Sequence, residues 1–374
     1  MGIRGYYKQF EALSEEEVNA GKRADAAERR RRELARVDPL DLTRTTWPEY
    51  PPPSIVNAIT FAARRGLHRY LDRHATQLRG ELAHLHGVPT ERVVVGDGAA
   101  QLMSSAAQAL LEPGDELITP WPSYALYPVM ARRARGHAVP VPGFGVDTIL
   151  SAVNPRTRIV ALCNPNDPTG ELMPRDEVAR LLDALPERVI VLLDEALRDY
   201  VDPAIEARDA ALDLGEQHPR LLVFRTFSKA WGQAGLRVGY AVGGPGAEPL
   251  LERLEPELGL NELAQAGALE ALRTAADLAA RRGAIIVEGR GELTGALAQR
   301  AVAVAPSQAN ILWLRAPELP GAELAARLSR GGVDVAGGGR LGDPDRVRIA
   351  IPHRPELRER LLRALDGALG AVER

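Results

Sequence analysis

Short apolar runs alternate with amphipathic stretches through the middle of the chain, from about Ile55 to Gly246. Runs of four to six residues that lie between turn residues are typical of buried strands. The pattern predicts seven such strands: Arg92–Val95, Glu116–Thr119, His137–Val141, Arg158–Cys163, Val189–Leu193, Leu221–Phe224 and Arg237–Val242. Amphipathic stretches such as Ala99–Leu111 and Pro174–Leu185 lie between them and have helical spacing. We therefore expect an α/β fold, in which helices sandwich a mostly parallel seven-stranded sheet and ligands bind at the carboxyl ends of the strands.

Different patterns flank this central region. Ser14-Glu15-Glu16-Glu17 has the form of a capping box and predicts a helix to about Val37, and the proline-rich segment 47–53 then predicts a rigid connector. Gly246–Glu257 is predicted to begin a long connecting helix. Beyond it the pattern predicts the strands Asn310–Leu314, Gly332–Val335 and Arg346–Ile351 and the helices Gly321–Arg330 and Pro355–Val372. We expect an N-terminal helix and connector arm over residues 1–54, a large domain over 55–260 and a smaller α+β domain over 261–374.

The composition is that of an ordinary globular protein. Of the 374 residues, 45% are hydrophobic and 26% are charged, which allows a sizeable core. The net charge of −3 argues against nucleic-acid binding, and no apolar run approaches the roughly 20 residues that span a membrane. The single cysteine, Cys163, cannot form an internal disulfide, and His84 and His86 do not share a helix face as metal ligands would. We therefore expect a soluble cytoplasmic protein with no metal ion, nucleic acid or membrane as its partner.

The segment that follows the predicted strand Leu221–Phe224 combines hydroxyl groups, a lysine and an arginine. Thr226 and Ser228 precede Lys229, and Arg237 follows eight residues later among small residues. This arrangement suits a lysine that forms a Schiff base beside a bound phosphate, whose oxygen atoms accept from hydroxyl and guanidinium groups. The cofactor that needs both is pyridoxal 5′-phosphate (PLP). The segment therefore predicts Lys229 as the covalent cofactor ligand and general base, with the other three side chains at the phosphate.

Three further segments follow predicted strands and suit the same cofactor. Asp194 could pair with the pyridinium nitrogen, although a carboxylate there could also simply cap the next helix. The turn Gly98-Ala99-Ala100 opens a helix, whose first backbone N–H groups form an anion site. Tyr124 could stack on the cofactor ring or be an ordinary core tyrosine.

Together these segments resemble the fold-type I PLP-dependent aminotransferases, most of all the histidinol-phosphate aminotransferase branch. Arg69–Arg79 is similar to that branch's R-Y-P-D…L-R segment, and Asn164–Gly170 is similar to its N-P-N-N-P-T-G turn. Pro306–Asn310 and Arg346–Ile349 resemble its C-terminal elements. The resemblance implies a PLP-dependent transferase fold and ping-pong transfer of an amino group between an amino acid and a 2-oxo acid.

The resemblance also implies roles for further residues. Tyr70 would reach the phosphate of the other subunit's cofactor, so a homodimer is expected. Asp167 stands where the family has an asparagine that contacts the cofactor's phenolic oxygen. Arg348 and Asn310 would bind the substrate, with Arg348 holding its α-carboxylate.

The chain departs from the family pattern at this phenolic oxygen. Asp167 only accepts hydrogen bonds when it is ionised, and Leu197 replaces a tyrosine that donates one. Fewer donors to the phenolate predict a cofactor Schiff base that stays protonated to higher pH than is usual in the family. Alternatively, Asp167 is protonated or turned away, or Arg198 or Tyr200 fills the gap.

Two other departures concern the substrate. Ala336 stands where the histidinol-phosphate branch has an arginine for the substrate phosphate, although Arg340 could substitute for it. Thr45-Thr46-Trp47-Pro48 replaces the family's N-E-N-P segment. One arginine at Arg348 suits an amino acid better than a phosphate ester, so we expect an apolar or aromatic amino acid.

Other functions remain open at this point. The alternatives are another PLP-dependent reaction at Cα or Cβ, such as that of a lyase, decarboxylase, racemase or oxidase, and a non-catalytic PLP-binding homologue. Ser104-Ser105 lacks the G-x-S-x-G elbow of hydrolases, and Cys163 lies in a buried-looking strand rather than at a nucleophile's position.

Overall fold

The computed structural model describes residues 38–370, within which there are twelve strands and twelve α-helices. The strands are β1 (Leu40–Leu42), β2 (Val93–Gly96), β3 (Glu116–Trp121), β4 (His137–Pro142), β5 (Thr157–Cys163), β6 (Ile190–Asp194), β7 (Leu221–Thr226), β8 (Gly239–Gly243), β9 (Ala303–Val304), β10 (Ile311–Arg315), β11 (Val333–Gly337) and β12 (Arg346–Ala350). The helices are α1 (Pro53–Gly66), α2 (Thr76–His86), α3 (Ala99–Leu110), α4 (Leu126–Arg133), α5 (Val146–Ala152), α6 (Arg175–Ala184), α7 (Ala210–Gly215), α8 (Glu248–Leu254), α9 (Glu262–Thr274), α10 (Leu278–Leu297), α11 (Gly321–Arg330) and α12 (Pro355–Leu369). The helix predicted from Ser14 to about Val37 lies outside the described residues, as do the last two residues of the predicted C-terminal helix.

Seven strands form the central sheet, in the spatial order β2-β8-β7-β6-β5-β3-β4. The five strands from β7 to β4 in this order run parallel to one another, whereas β8 runs antiparallel to both β7 and β2. This arrangement confirms the predicted mostly parallel α/β sheet. Cys163 pairs with Asp194 across β5 and β6, so the carboxyl ends of these strands lie side by side.

Helices cover the central sheet on both faces. Val191 and Leu193 of β6 belong to the core that contains Leu181 of α6, whereas Leu192 between them belongs to the core that contains Leu102 of α3. Successive residues of a strand point to opposite faces, and all three of these strand residues are fully buried. Burial on both faces explains why this strand is a continuous apolar run without alternation.

A second sheet is formed by β1-β11-β12-β10-β9 in that order. Its strands pair antiparallel except for β1, which runs parallel to β11. The amphipathic helices α11 and α12 bury Leu324, Leu328, Leu361 and Leu365 in the core. The strands β10, β11 and β12 and both helices lie where the sequence predicted them, although β1 was not predicted. The domain boundaries after residues 54 and 260 stay predictions.

The long helix predicted to begin at Gly246–Glu257 is wrong beyond Leu254. α8 ends at Leu254, and Glu255 is extended with ψ 128° directly before Pro256. A residue that precedes proline is kept out of the helical region by the proline ring. The long helix of this part of the chain is α10, which has 20 residues. None of the helices between residues 38 and 370 is both long and apolar enough to cross a membrane.

Candidate active site

A cavity of about 160 Å³ opens at the carboxyl ends of β5, β6 and β7. Nine of the predicted site residues line it: Ala99, Ala100, Tyr124, Asp167, Asp194, Thr226, Ser228, Lys229 and Arg237. The wall also contains residues that were not assigned to the site from the sequence: Thr46, Met103, Cys163, Ala196 and Ala234. The parallel sheet thus brings together side chains from positions far apart in the chain, at the edge where ligands bind in α/β folds.

Lys229 lies just after β7 and points its amine into the cavity. The Nζ atom donates a hydrogen bond to Oγ1 of Thr45, which is 5% exposed and belongs to the connector, the segment 43–52 between β1 and α1. Burial lowers the pKa of Lys229, while the nearby carboxylates of Asp167 and Asp194 partly oppose that change. A lower pKa increases the fraction of neutral amine, which is the nucleophilic form.

Asp194 ends β6 and is 3% exposed. Burial raises its pKa to about 6, although two donors stabilise the ionised form. The backbone N–H of Ala196 donates to Oδ1 over 3.0 Å, and the hydroxyl of Tyr127 donates to Oδ2 over 3.1 Å. A cation next to this carboxylate, such as a protonated ring nitrogen, would lower the pKa again.

Tyr127 was not predicted as a site residue. It is fully buried in α4 and lies three positions after Tyr124, whose ring it meets edge-on at 5.8 Å between the centroids. Tyr124 lies before α4 begins at Leu126, so helical spacing does not link the two tyrosines and no local pattern pointed to Tyr127. Burial and the Asp194 charge raise the pKa of both tyrosines, so both hydroxyl groups remain protonated and can donate.

The residues predicted to hold the phosphate form one cluster. Thr226 Oγ1 accepts from the backbone N–H of Ser228 over 3.1 Å, and Arg237 Nη1 donates to Ser228 Oγ over 3.3 Å. Gly98, just before α3, has φ +89°, and a Cβ atom built on it would lie 2.7 Å from Arg237 Nη2. Glycine therefore lets the guanidinium approach the first N–H groups of α3, where no side chain caps the helix.

These groups fit PLP. The uncapped first turn of α3, the two hydroxyl groups and Arg237 form a cradle for a phosphate. The Lys229 amine and the Asp194 carboxylate lie in the same cavity, so one bound molecule can meet an amine, a carboxylate and an anion site at once. The cofactor-binding roles of the individual residues stay predictions.

Asp167 is turned toward Arg348. Nη1 of Arg348 donates to Oδ1 of Asp167 over 2.6 Å, and Nη2 donates to the backbone oxygen of Thr43 over 2.7 Å. Both charged side chains are 13% exposed. Arg348 also faces Ala336 across β11 and β12, so an arginine at position 336 would add a second positive charge beside it. Arg340, the other candidate for binding a phosphate ester, is exposed.

Leu197 lies in the cavity wall and is 1% exposed. The position at which the family has a tyrosine therefore faces the cavity in this chain too. Neither proposed substitute reaches the cavity. Arg198 is held by Glu206 over 2.6 Å and by the backbone oxygen of Arg208 over 3.1 Å. Tyr200 is buried elsewhere, and its hydroxyl has no partner in the part of the chain that the structure describes. The hypothesis that Arg198 or Tyr200 fills the gap therefore finds no support in the fold.

Four predicted residues are not part of the cavity wall, and one of them, Gly98, directly precedes α3 as described above. Asn310 donates from Nδ2 to the backbone oxygen of Thr45 over 2.9 Å, so it holds the connector that contacts Lys229. Tyr70 is fully exposed and does not reach the cavity of its own chain. Arg348 meets the cavity through Asp167. The substitution of the family's N-E-N-P by Thr45-Thr46-Trp47-Pro48 was the sequence signal that this connector belongs to the site.

Cys163 lines the cavity but has the properties of a core residue. Its side chain is 3% exposed, and Sγ donates to the backbone oxygen of Pro165 over 3.3 Å. Burial and the charges of Asp194 and Asp167 raise the pKa of the thiol, so it stays protonated. Over residues 38–370, histidine, cysteine and carboxylate side chains do not form any group of three that could hold a metal ion.

The chain is similar to proteins of a known family. Residues 38–365 match the family described as Aminotransferase class I and II. The chain is 38% identical over 325 residues to the aromatic amino acid aminotransferase of Corynebacterium efficiens, which covers 85% of this chain and 90% of that protein. It is 35% identical over 327 residues to histidinol-phosphate aminotransferase 2 of Ralstonia nicotianae, which covers 86% of each chain.

The fold is also that of a solved aminotransferase. The crystal structure of histidinol-phosphate aminotransferase from Sinorhizobium meliloti in complex with pyridoxal-5′-phosphate superimposes with a TM-score of 0.79, covering 92% of this chain and 95% of that one. At 23% identity this likeness shows the fold, and the sequence matches above show the family. The chain belongs to the class I and II aminotransferases, as its resemblance to them in sequence implied.

Proposed function

We propose that this PLP-dependent aminotransferase transfers the amino group of an aromatic or other apolar amino acid to a 2-oxo acid by a ping-pong mechanism. The observation that carries the proposal is the position of the Lys229 amine, which lies in one cavity with the Asp194 carboxylate and the Ser228–Arg237 cluster. When bound, PLP supplies an aldehyde that condenses with amines and a ring that accepts an electron pair.

Lys229 provides the amine that binds the cofactor and, once released by a substrate amine, the base that moves a proton from the substrate Cα. Burial lowers its pKa, and a lower pKa favours both tasks because each of them needs the neutral amine. Thr45 is positioned to orient this amine through its hydroxyl.

Asp194 would hold a proton on the ring nitrogen of bound PLP, which would keep the ring electron-poor. Two donors, the N–H of Ala196 and the hydroxyl of Tyr127, fix the carboxylate in place. Tyr124 would pack against the ring of bound PLP, and Thr226, Ser228, Arg237 and the turn Gly98–Ala100 would hold its phosphate.

The preference for an apolar substrate rests on the side chains near Arg348. Ala336 brings no second charge to bind a phosphate ester, and Leu197 and Met103 add apolar surface to the cavity. The similarity to proteins named aromatic amino acid aminotransferases supports the same choice. Asn310 acts on this site through the connector, by holding the backbone oxygen of Thr45.

We also propose that the protein is a homodimer and acts in the cytoplasm. Tyr50, Phe61, Leu67 and Tyr70 are 60% or more exposed and lie within 21 residues of one another in the chain. Large apolar side chains that are grouped on a surface favour a protein partner. In a homodimer, Tyr70 would be free to reach the partner's cofactor phosphate.

The proposed cytoplasmic location rests on the single buried cysteine.

One set of experiments tests the function. The purified protein mixed with PLP is expected to show the visible absorbance of a lysine Schiff base, and Lys229→Ala is expected to abolish it. Adding phenylalanine without an acceptor should convert the cofactor to pyridoxamine phosphate with an equal amount of 2-oxo acid. Release of carbon dioxide or racemised amino acid in place of the oxo acid would instead support a decarboxylase or racemase, which family membership does not favour. A panel of amino donors with 2-oxoglutarate then ranks the substrates.

A further inference from the structure

The ion pair between Asp167 and Arg348 has a consequence for substrate selection. We propose that Asp167 is an internal competitor for the arginine that binds the substrate α-carboxylate, and that it shifts selection from the carboxylate to the apolar side chain of the substrate. This inference rests on the proposed role of Arg348 in the proposed transamination.

The first support is that the guanidinium of Arg348 already donates to two acceptors. Nη1 donates to Asp167 over 2.6 Å and Nη2 donates to the Thr43 oxygen over 2.7 Å, whereas the buried Nε–H of Arg348 has no partner among residues 38–370. A carboxylate that binds in a bidentate manner needs N–H groups on two of these three nitrogens. It must therefore share at least one nitrogen that already has an acceptor.

The second support is charge. Asp167 and Arg348 are each 13% exposed, so solvent screens their pair only weakly. Asp167 neutralises the positive charge that would otherwise attract a substrate carboxylate. A ligand carboxylate that joins Arg348 while Asp167 is still bound there would place two negative charges on one arginine, which costs affinity. The Asp167 carboxylate therefore competes with the ligand carboxylate for the charge of Arg348.

The third support is that neither strand neighbour of Arg348 supplies a second positive charge. The residue that pairs with Arg348 on one side of its strand is Ala336, and the residue on the other side is Trp313. Trp313 is 3% exposed, and Leu197 and Met103 line the nearby cavity. Since the carboxylate contributes less to affinity, the larger share must come from burial of the substrate's side chain, which favours large apolar amino acids over alanine or aspartate.

The test measures ligand binding to the PLP-loaded protein, without any turnover. The probe is 3-phenylpropionate, which has an aromatic ring and a carboxylate but neither an amino nor an oxo group. Calorimetry gives its Kd for the wild type, for Asp167→Asn and for the control Asp343→Asn. The control removes a carboxylate that pairs with Arg346, two positions before Arg348 in β12, over 3.2 Å.

Asp167→Asn is expected to lower the Kd by about tenfold or more, because an uncompensated Arg348 then meets the ligand carboxylate. The control should leave the Kd within about twofold, as is usual for a change outside a binding site. The neutral probe 3-phenylpropionamide should bind the wild type and Asp167→Asn with the same Kd, because it has no carboxylate for the charge of Arg348 to attract.

An unchanged or higher Kd for 3-phenylpropionate in Asp167→Asn overturns the inference. Asp167→Ser gives the same comparison if the asparagine variant does not fold. Failure of the proposed function looks different, because it removes the Schiff-base absorbance or the oxo-acid product of the wild type, whereas failure of this inference leaves both intact.

Discussion

At the scale of single residues, the site depends on groups whose partners come from distant parts of the chain. Thr45 of the connector accepts the hydrogen bond of Lys229, although 184 positions separate them. The acceptor stabilises the ammonium form of the lysine, whereas burial destabilises it. The balance between these two effects sets how readily Lys229 acts as a nucleophile.

Replacing Thr45 by valine keeps the shape of the side chain and removes the acceptor. The pKa of Lys229 should then fall further, because the ammonium form loses a hydrogen-bond acceptor. The rate at which the cofactor-free protein develops Schiff-base absorbance with PLP, followed against pH, should show a midpoint shifted to lower pH. Thr294→Val, an exposed position on α10, is the control and should leave the midpoint in place. A midpoint that moves upward in Thr45→Val contradicts the role of the hydroxyl.

Asp194 makes stability depend on pH. Burial raises its pKa to about 6, from the usual value near 4. Between these two values the folded protein holds a proton that the unfolded chain releases. The stabilisation is therefore complete below about pH 4 and is lost as the pH rises to about 6, by on the order of 3 kcal/mol.

The side chain in Asp194→Asn cannot ionise, so the free energy of unfolding of this variant should not show this fall with pH. Denaturant titrations of the cofactor-free proteins at pH 4, 5, 6 and 7 measure the free energy of unfolding. The value for the wild type is expected to fall relative to that of the variant across this range. Asp183→Asn, an exposed carboxylate with 74% of its side chain accessible, should follow the wild type. Parallel pH profiles for the wild type and Asp194→Asn would show that Asp194 is already ionised at low pH.

At the scale of elements, the anion site depends on how β2, β8 and α3 meet. Gly96 pairs with Gly239, and a Cβ atom on Gly239 would lie 2.1 Å from the backbone nitrogen of Ala99. The strand ends and the start of the helix therefore approach each other more closely than any other residue type permits. This approach brings the N–H groups of α3 next to Arg237.

Gly98→Ala tests this meeting point. Alanine is strained at φ +89°, and its Cβ would come 2.7 Å from Arg237 Nη2. We expect a loss of stability of about 1–2 kcal/mol and a rise of about tenfold or more in the Kd for PLP. Urea unfolding and absorbance titration measure the two effects. Gly291→Ala on the exposed face of α10 has open space and ordinary backbone angles, so it should stabilise the protein by about 0.5–1 kcal/mol. Normal PLP affinity in Gly98→Ala would mean that Arg237 does not bind the phosphate.

The elements were predicted from the sequence to different degrees. β6 was predicted well because it is buried on both faces and so forms an unbroken apolar run. The short β1 and the interruption at Glu255–Pro256 were missed, because a three-residue strand has no periodicity and a proline restricts the backbone without changing the apolar pattern. Elements with a strong local pattern can be predicted, whereas those stabilised by a neighbouring element cannot.

At the scale of the whole molecule, the exposed apolar residues of α1 and the loop after it favour a dimer. Phe61 is 60% exposed and Leu67 is 76% exposed. Phe61→Glu combined with Leu67→Glu should convert the protein from a dimer to a monomer, because burying two charges without partners in an interface is unfavourable. Light scattering after size-exclusion chromatography measures the mass. Ile205 is 59% exposed and lies far along the chain from these residues, so Ile205→Glu is the control and should leave the dimer intact. A monomeric wild type would contradict the proposed dimer.

By itself, the sequence determined the sheet, the cofactor and the family. Strand periodicity and the order of Asp194, Lys229 and Arg237 are local features, and the rule that ligands bind at the carboxyl ends of parallel strands brings them together. Only the tertiary structure decided which groups those residues meet. The contacts of Asp167 with Arg348, of Thr45 with Lys229 and of Tyr127 with Asp194 join positions 181, 184 and 67 residues apart. No local pattern encodes such pairs, because each one depends on how the connector, α4 and the second sheet pack around the first.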